Sequence, residues 1–178
     1  EGLKYFGDSS ITAIRTRIKA LNHRYFTSIA DHYSQGSDVI EDCLQTEGSL
    51  FIRHDIFIEV RGFEETLFGG DGIDLTYRIL TTNPSTKIFY VPDVVLQHDY
   101  INSWKKFFKK CWRYATVNTK LKEIDPGLIR FMDEYPPHDF IRDPLPLDEQ
   151  IARVLLRLIR KIIWKIAYLT TAIRKSKD

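Results

Sequence analysis

From Ile11 to Ile29 the apolar residues Ile11, Ile14, Ile18, Leu21, Tyr25 and Ile29 recur at steps of three and four, with Arg15, Arg17, Lys19 and Arg24 between them. That spacing places the apolar set on one stripe of a helix, so the pattern predicts an amphipathic helix, N-capped by Ser9 or Ser10. A turn-rich stretch from Ser34 to Asp38 follows. Residues 47–53 then read as a short buried strand entered through Gly48, and Asp55–Val60 as one to two helical turns stopped before Gly62. Residues 61–70 hold three glycines with Phe63, Leu67 and Phe68, the composition of a loop packed by its own side chains. A helix is expected from Ile73 to Leu80. Lys87–Tyr90 and Val94–Leu96 read as β-structure, with Pro92 marking an edge or a bend.

Two long amphipathic helices are expected further on. In Ser103–Leu121 the residues Trp104, Phe107, Phe108, Cys111, Trp112 and Ala115 share an apolar face, opposite Lys105, Lys106, Lys109, Lys110 and Arg113. Residues 133–146, with four prolines and four acids, read as an irregular linker. From Leu147 to Ile173 a basic stripe of Arg153, Arg157, Arg160, Lys161 and Lys165 runs beside apolar positions that cover most of the remaining surface. A charge falls every few residues until Lys165, so a membrane span of about 20 apolar residues is not expected. An in-plane helix on an anionic, cytoplasmic membrane surface fits the pattern, with roughly 1 kcal/mol from each basic residue near the lipid. The other reading is a helix packed on protein.

The chain of 178 residues, 43% hydrophobic, can form one domain with a core plus an appendage. The division expected is a domain over residues 1–132, the Pro-rich linker over 133–146 and the basic helix over 147–178. Cys43 and Cys111 lie in no metal or redox spacing, which favours a reducing compartment. The sequence opens at Glu1, not at an initiator Met, with no apolar h-region and cleavage site to read as a signal peptide, and a true amino terminus is expected upstream. The formal charge of +2 conceals an asymmetry: residues 103–122 carry +7 and residues 147–178 carry +5, so the remainder carries −10. Basic helices admit nucleic acid as a partner on charge alone. The acidic body, and aromatic residues expected to be buried on one helix face, argue against nucleic acid.

The candidate chemistry lies in the runs Gly48–Phe57, Val60–Glu65 and Leu67–Arg78, the last reading Leu-Phe-Gly-Gly-Asp-Gly-Ile-Asp-Leu-Thr-Tyr-Arg. With Lys87–Asp93 and the step from His98 to Ser103, these runs resemble family 2 glycosyltransferases of the GT-A fold. In that family a strand and short helix lead through a Gly-Gly-Phe loop into an acidic motif that opens a helix. The resemblance covers roughly residues 45–118 in several linked, ordered motifs. It implies an α/β, partial GT-A fold lacking its nucleotide-binding half, with a long carboxy-terminal amphipathic helix.

The activity implied is transfer of a sugar from a nucleotide-sugar donor to a hydroxyl of a glycan or lipid-linked acceptor, with inversion. A carboxylate must accept the hydroxyl proton. The family usually has its base at the second acid of a Glu-Asp pair, whereas this chain has Asp71-Gly72. Either Asp71 supplies the base, helped by backbone freedom at Gly72, or efficient catalysis is lost. Asp71 and Asp74 also resemble a capping box, a role compatible with catalysis. The resemblance further implies substrate contacts at Gly48, Gly69, Gly70, Asp74, Arg113 and Tyr114, with Arg113 suited to a diphosphate leaving group. His98 is implied as a ligand of a divalent cation, Mn or Mg, whose other ligands are expected outside this chain; Asp99 is a further carboxylate at that edge. No D-x-D motif occurs. The expectation is therefore a fragment or split gene product that alone binds no nucleotide sugar, and the alternative is a non-catalytic membrane-associated adaptor that keeps the acceptor-side fold.

Overall fold

The computed structural model describes residues 2–21, 24–30, 35–44, 49–67, 70–98, 101–134 and 144–175. Four strands form one mixed sheet in the order β2-β4-β1-β3: β1 (Ile11–Ala20), β2 (Ile40–Glu41), β3 (Leu50–Ile52) and β4 (Lys87–His98). β1 runs parallel to β4 and antiparallel to β3, and β2 is antiparallel to β4. The fold is mixed α/β.

The helix expected over Ile11–Ile29 is instead β1, followed by a single turn, α1 (Arg24–Thr27). Ile and Thr, whose β-branched side chains suit a pleated strand, fill half of Ile11–Ala20. β1 lies between β3 and β4, and the consecutive residues Ala13 and Ile14 are both fully buried on opposite faces. A strand covered on both faces has no period-two alternation, and its apolar residues fell by coincidence on helical steps.

β4 is one continuous strand through Pro92, with a break in its register on β1: Val91 pairs with Thr16, but the next pair is Val95 with Arg17. Pro92, Asp93 and Val94 form a bulge, so the expected bend is present. The expected edge is not, since β4 lies between β1 and β2. β2 reaches only Phe89 and Tyr90, and so the missing N–H of Pro92 costs no ladder bond on that side.

The helices form two groups, one packed on the sheet and one built around its own core. α2 (His54–Glu59) and α3 (Asp71–Thr82) pack against the sheet, with Leu75 and Ile79 of α3 meeting Ala13, Leu44, Val60 and Ile88 in the main core. A second core joins Ile29 and Ile101 to Phe107 and Cys111 of α4 (Trp104–Ile124) and to Leu156 and Ile163 of α6 (Leu147–Lys175). Each buried Leu or Ile contributes roughly 1.5–3 kcal/mol. α5 (Pro126–Glu134) starts with a proline at its first position and buries Leu128 against Leu67. It extends into the stretch expected as linker; residues 144–146 have no regular structure, and the rest of that stretch lies outside the described residues.

Two expectations about the basic helices change. On α4, Phe107, Cys111 and Ala115 are buried, but Trp104, Phe108 and Trp112 are exposed. The apolar face is wider than the core it meets, so the aromatic residues do not all point inward. α6 is docked by one face against α4 and α1, and the Tyr25 hydroxyl donates to Asp148 Oδ2 at 3.0 Å. No described helix is long and apolar enough to cross a membrane.

Candidate functional site

The approach to the candidate site is built by β3, α2 and the following loop. Arg53 ties their junction to the amino end of β1: its guanidinium donates to the carbonyls of Ile11 and Phe6, each at 2.8 Å, and of Asp8 at 3.0 Å. α2 then stops because Arg61 and Gly62 both turn left-handed, each with φ of 64°. Glycine adopts that region freely, whereas arginine is strained there. The Gly62 N–H donates to the Phe57 carbonyl at 2.8 Å, and the Phe63 ring meets Phe57 edge-on with centroids 5.6 Å apart. Glu64 Oε1 accepts from the Thr66 hydroxyl at 2.7 Å and its backbone N–H at 3.1 Å. These two bonds hold the Glu64 carboxyl below its ordinary pKa. Leu67 is buried. The Glu64–Thr66 bonds close the loop on itself, but Phe63 packs on α2 and Leu67 on Leu128 of α5, so the expected packing by its own side chains holds only in part; residues 68–69 lie outside the described residues.

At the end of the loop Gly70, left-handed with φ of 88°, is the N-cap of α3 and offers no side-chain bond. The capping box expected from Asp71 and Asp74 is therefore absent: Asp71 is already the first helical residue, one position past the cap. Its Oδ1 is buried and has no hydrogen-bond partner among the described residues. The carboxylate sits at the positive end of the α3 dipole, which favours negative charge. Gly72 is buried within the first turn, and its carbonyl accepts from the Thr76 hydroxyl at 2.9 Å. Its backbone is helical, so the freedom expected of this glycine is not used.

Asp74 is turned to a different task. Its Oδ2 accepts from Arg78 Nε at 2.9 Å and from the second guanidinium nitrogen at 2.6 Å, and Arg78 also donates to the Val60 carbonyl. The first turn of α3 is thereby clipped to the end of α2. Only 8% of the Asp74 side chain is exposed, which leaves it occupied as a structural acceptor.

The other expected residues lie on separate elements. His98 is the last residue of β4, exposed and opposite Ala20. On α4 the half-buried Tyr114 has Lys110 Nζ 5.6 Å and the Arg113 guanidinium 5.5 Å from its ring centroid, so two cations lie close to one ring. Gly70, Asp71 and Asp74 are brought together; His98, Arg113 and Tyr114 come from β4 and α4. Gly48, Gly69 and Asp99 lie outside the described residues. Among the described residues no three His, Cys, Asp or Glu side chains converge as a metal ion requires. His98 offers one imidazole at the end of β4, and Asp99 beside it lies outside the described residues.

Sequence reasoning missed a polar cluster beneath α3. Arg15, wholly buried, donates from Nε to Asp42 Oδ2 at 2.8 Å, forms a second bond to the same oxygen, and lies 5.0 Å from the centroid of the Tyr90 ring. The Tyr90 hydroxyl donates to the Gly36 carbonyl at 3.1 Å. Arg15 and Tyr90 are paired across β1 and β4, two residues beyond Ala13 and Ile88, and so share the face that α3 covers. The available signal was an arginine inside a β-branched run.

Comparison with protein-family models finds no match to this chain, and comparison with curated proteins likewise finds none similar enough to count as a match.

Proposed function

We propose that this chain is the acceptor-side part of an inverting glycosyltransferase of family 2 type, a partial GT-A fold, in which Asp71 is the general base. The observation that carries the reading is the Oδ1 of Asp71 at the start of α3, which has no hydrogen-bond partner among the described residues. The Asp74 carboxylate is already committed to Arg78, whereas Asp71 has an oxygen with no such partner among the described residues. In the reaction the acceptor hydroxyl oxygen bonds to the anomeric carbon of the donor sugar. The bond from that carbon to the nucleoside diphosphate breaks with its electron pair, and the hydroxyl proton passes to Asp71. Arg113 is exposed on α4 and would offset charge on the departing diphosphate. A divalent cation would supply further charge neutralisation, with His98 as this chain's contribution and the remaining ligands in a nucleotide-binding half upstream.

The test joins the upstream nucleotide-binding half to this chain and replaces Asp71 with Asn. Transferase activity is expected to fall about 100- to 10,000-fold, the usual contribution of a general base. Unchanged activity overturns the assignment of Asp71. The isolated chain is expected to show no calorimetric binding of a nucleotide sugar, and clear binding would contradict the reading. One observation favours a non-catalytic adaptor: Gly72 is buried where the family has its usual base. An inactive restored protein would support that alternative.

A further inference from the structure

Once α6 is docked, its apolar residues divide into two sets. Leu156, Ile163 and Ala167 face the body and are buried. Ile151, Val154, Leu155, Leu158, Ile162 and Leu169 recur at helical steps on the opposite side and are all exposed. Exposed apolar residues scattered singly need no explanation, but a row along about five turns marks a contact surface. Lys161 and Lys165 lie among and beside them, exposed, whereas the half-buried Arg153, Arg157 and Arg160 lie toward the docked side. α4 repeats the pattern on a smaller scale: Trp104, Phe108 and Trp112, each four residues apart, are exposed next to Lys105 and Lys109.

We propose that α4 and α6 form a platform that docks on an anionic lipid bilayer, with the outer face of α6 in the headgroup and upper acyl region. This inference stands independently of the transferase reading. A bilayer interface accepts apolar side chains and aromatic rings together, and lysine stems bury along that face while their ammonium groups reach lipid phosphates. The occupant is chosen by charge. A second copy laid face to face on α6 would bring Lys161 and Lys165 of both copies together, which is unfavourable. Nucleic acid offers no apolar surface for the central row. An anionic bilayer answers both sets of residues. The docked inner face holds the helix pair against the acidic body, so that the bilayer meets the positive side of the molecule.

The experiment is flotation of the chain with vesicles of phosphatidylcholine alone or mixed with phosphatidylglycerol. The chain is expected to float only with the anionic vesicles, less at high salt, with tryptophan emission shifted to the blue. Leu158→Asp and Ile162→Asp change exposed side chains, so native circular dichroism and unfolding midpoints are expected to persist while vesicle binding drops at least about tenfold. Lys161→Gln and Lys165→Gln are expected to weaken binding about fivefold each. Failure to float, equal binding to neutral vesicles, or unchanged binding by well-folded Leu158→Asp would overturn the proposal. So would a concentration-dependent dimer that Leu158→Asp dissolves, since the face would then belong to a second copy.

Discussion

Arg15 and Asp42 form an ion pair to which solvent has no access on either side. Desolvating two charges costs several kcal/mol, and the cost is recovered only while both partners and their hydrogen bonds remain. Asp42→Ala leaves a buried guanidinium without its carboxylate, and a loss of about 3–5 kcal/mol in urea unfolding is expected. The double replacement Arg15→Met, Asp42→Leu removes both charges and is expected to be clearly more stable than Asp42→Ala. Equal stability of the two would mean that the pair is not what that single replacement disrupts.

The Asp74–Arg78 clip gives a second prediction. Arg78 joins the first turn of α3 to the carbonyl of Val60, where the chain leaves α2 for the left-handed turn at Arg61 and Gly62. Asp74→Asn weakens a charge-assisted fork, and a cost of roughly 1–3 kcal/mol is expected. Hydrogen exchange is expected to accelerate selectively at Val60–Leu67 and in the first turn of α3. Uniform acceleration over the whole chain would instead mark Asp74 as a residue of general stability.

The same residues show where the fold was legible. The α3, α4 and α6 helices were readable because each has one covered and one wet side, and their periodicity survives in the sequence. β1 was not, because burial on both faces erases alternation, and a charged residue as deep as Arg15 looked like the polar side of a helix. Trp104, Phe108 and Trp112 were read as core because periodicity defines a face but not how much of it a neighbour covers. For the site, the loop followed from its glycines and apolar residues, whereas the start of α3 at Asp71 behind a Gly70 cap did not, because a left-handed glycine cap leaves no side-chain signature. The separate fates of Asp71 and Asp74 did not, since only the placement of Arg78 decides which carboxylate is already bonded.

Gly62 is a position where a methyl group meets two obstacles. Its φ of 64° is one that L-residues rarely adopt, and a Cβ there would stand 3.1 Å from the Phe57 ring. Gly62→Ala is expected to cost more than about 1 kcal/mol, because backbone strain adds to the displacement of that ring. Thermal unfolding would check the cost. The variant should also loosen the edge-on contact of Phe57 with Phe63, visible as a change in near-ultraviolet circular dichroism; an unshifted midpoint would contradict the left-handed turn.

Cys111 offers a reporter of how firmly α6 is held. Its thiol lies in the core shared with Leu156 and Ile163, and burial pushes its pKa above the ordinary value near 9, against a smaller opposing pull from Arg160 and Lys110. Alkylation needs the thiolate, so in a Cys43→Ser background labelling at neutral pH is expected to be slow in the native state. The sign of the pH effect follows from the raised value. The native state holds the proton more tightly than the unfolded chain, so this contribution to stability is complete below pH of about 9 and declines as pH rises above it. Ile163→Ala removes a side chain from the same core and is expected to speed alkylation at least several-fold before global unfolding. If labelling follows global unfolding alone in both proteins, α6 does not open separately from the body.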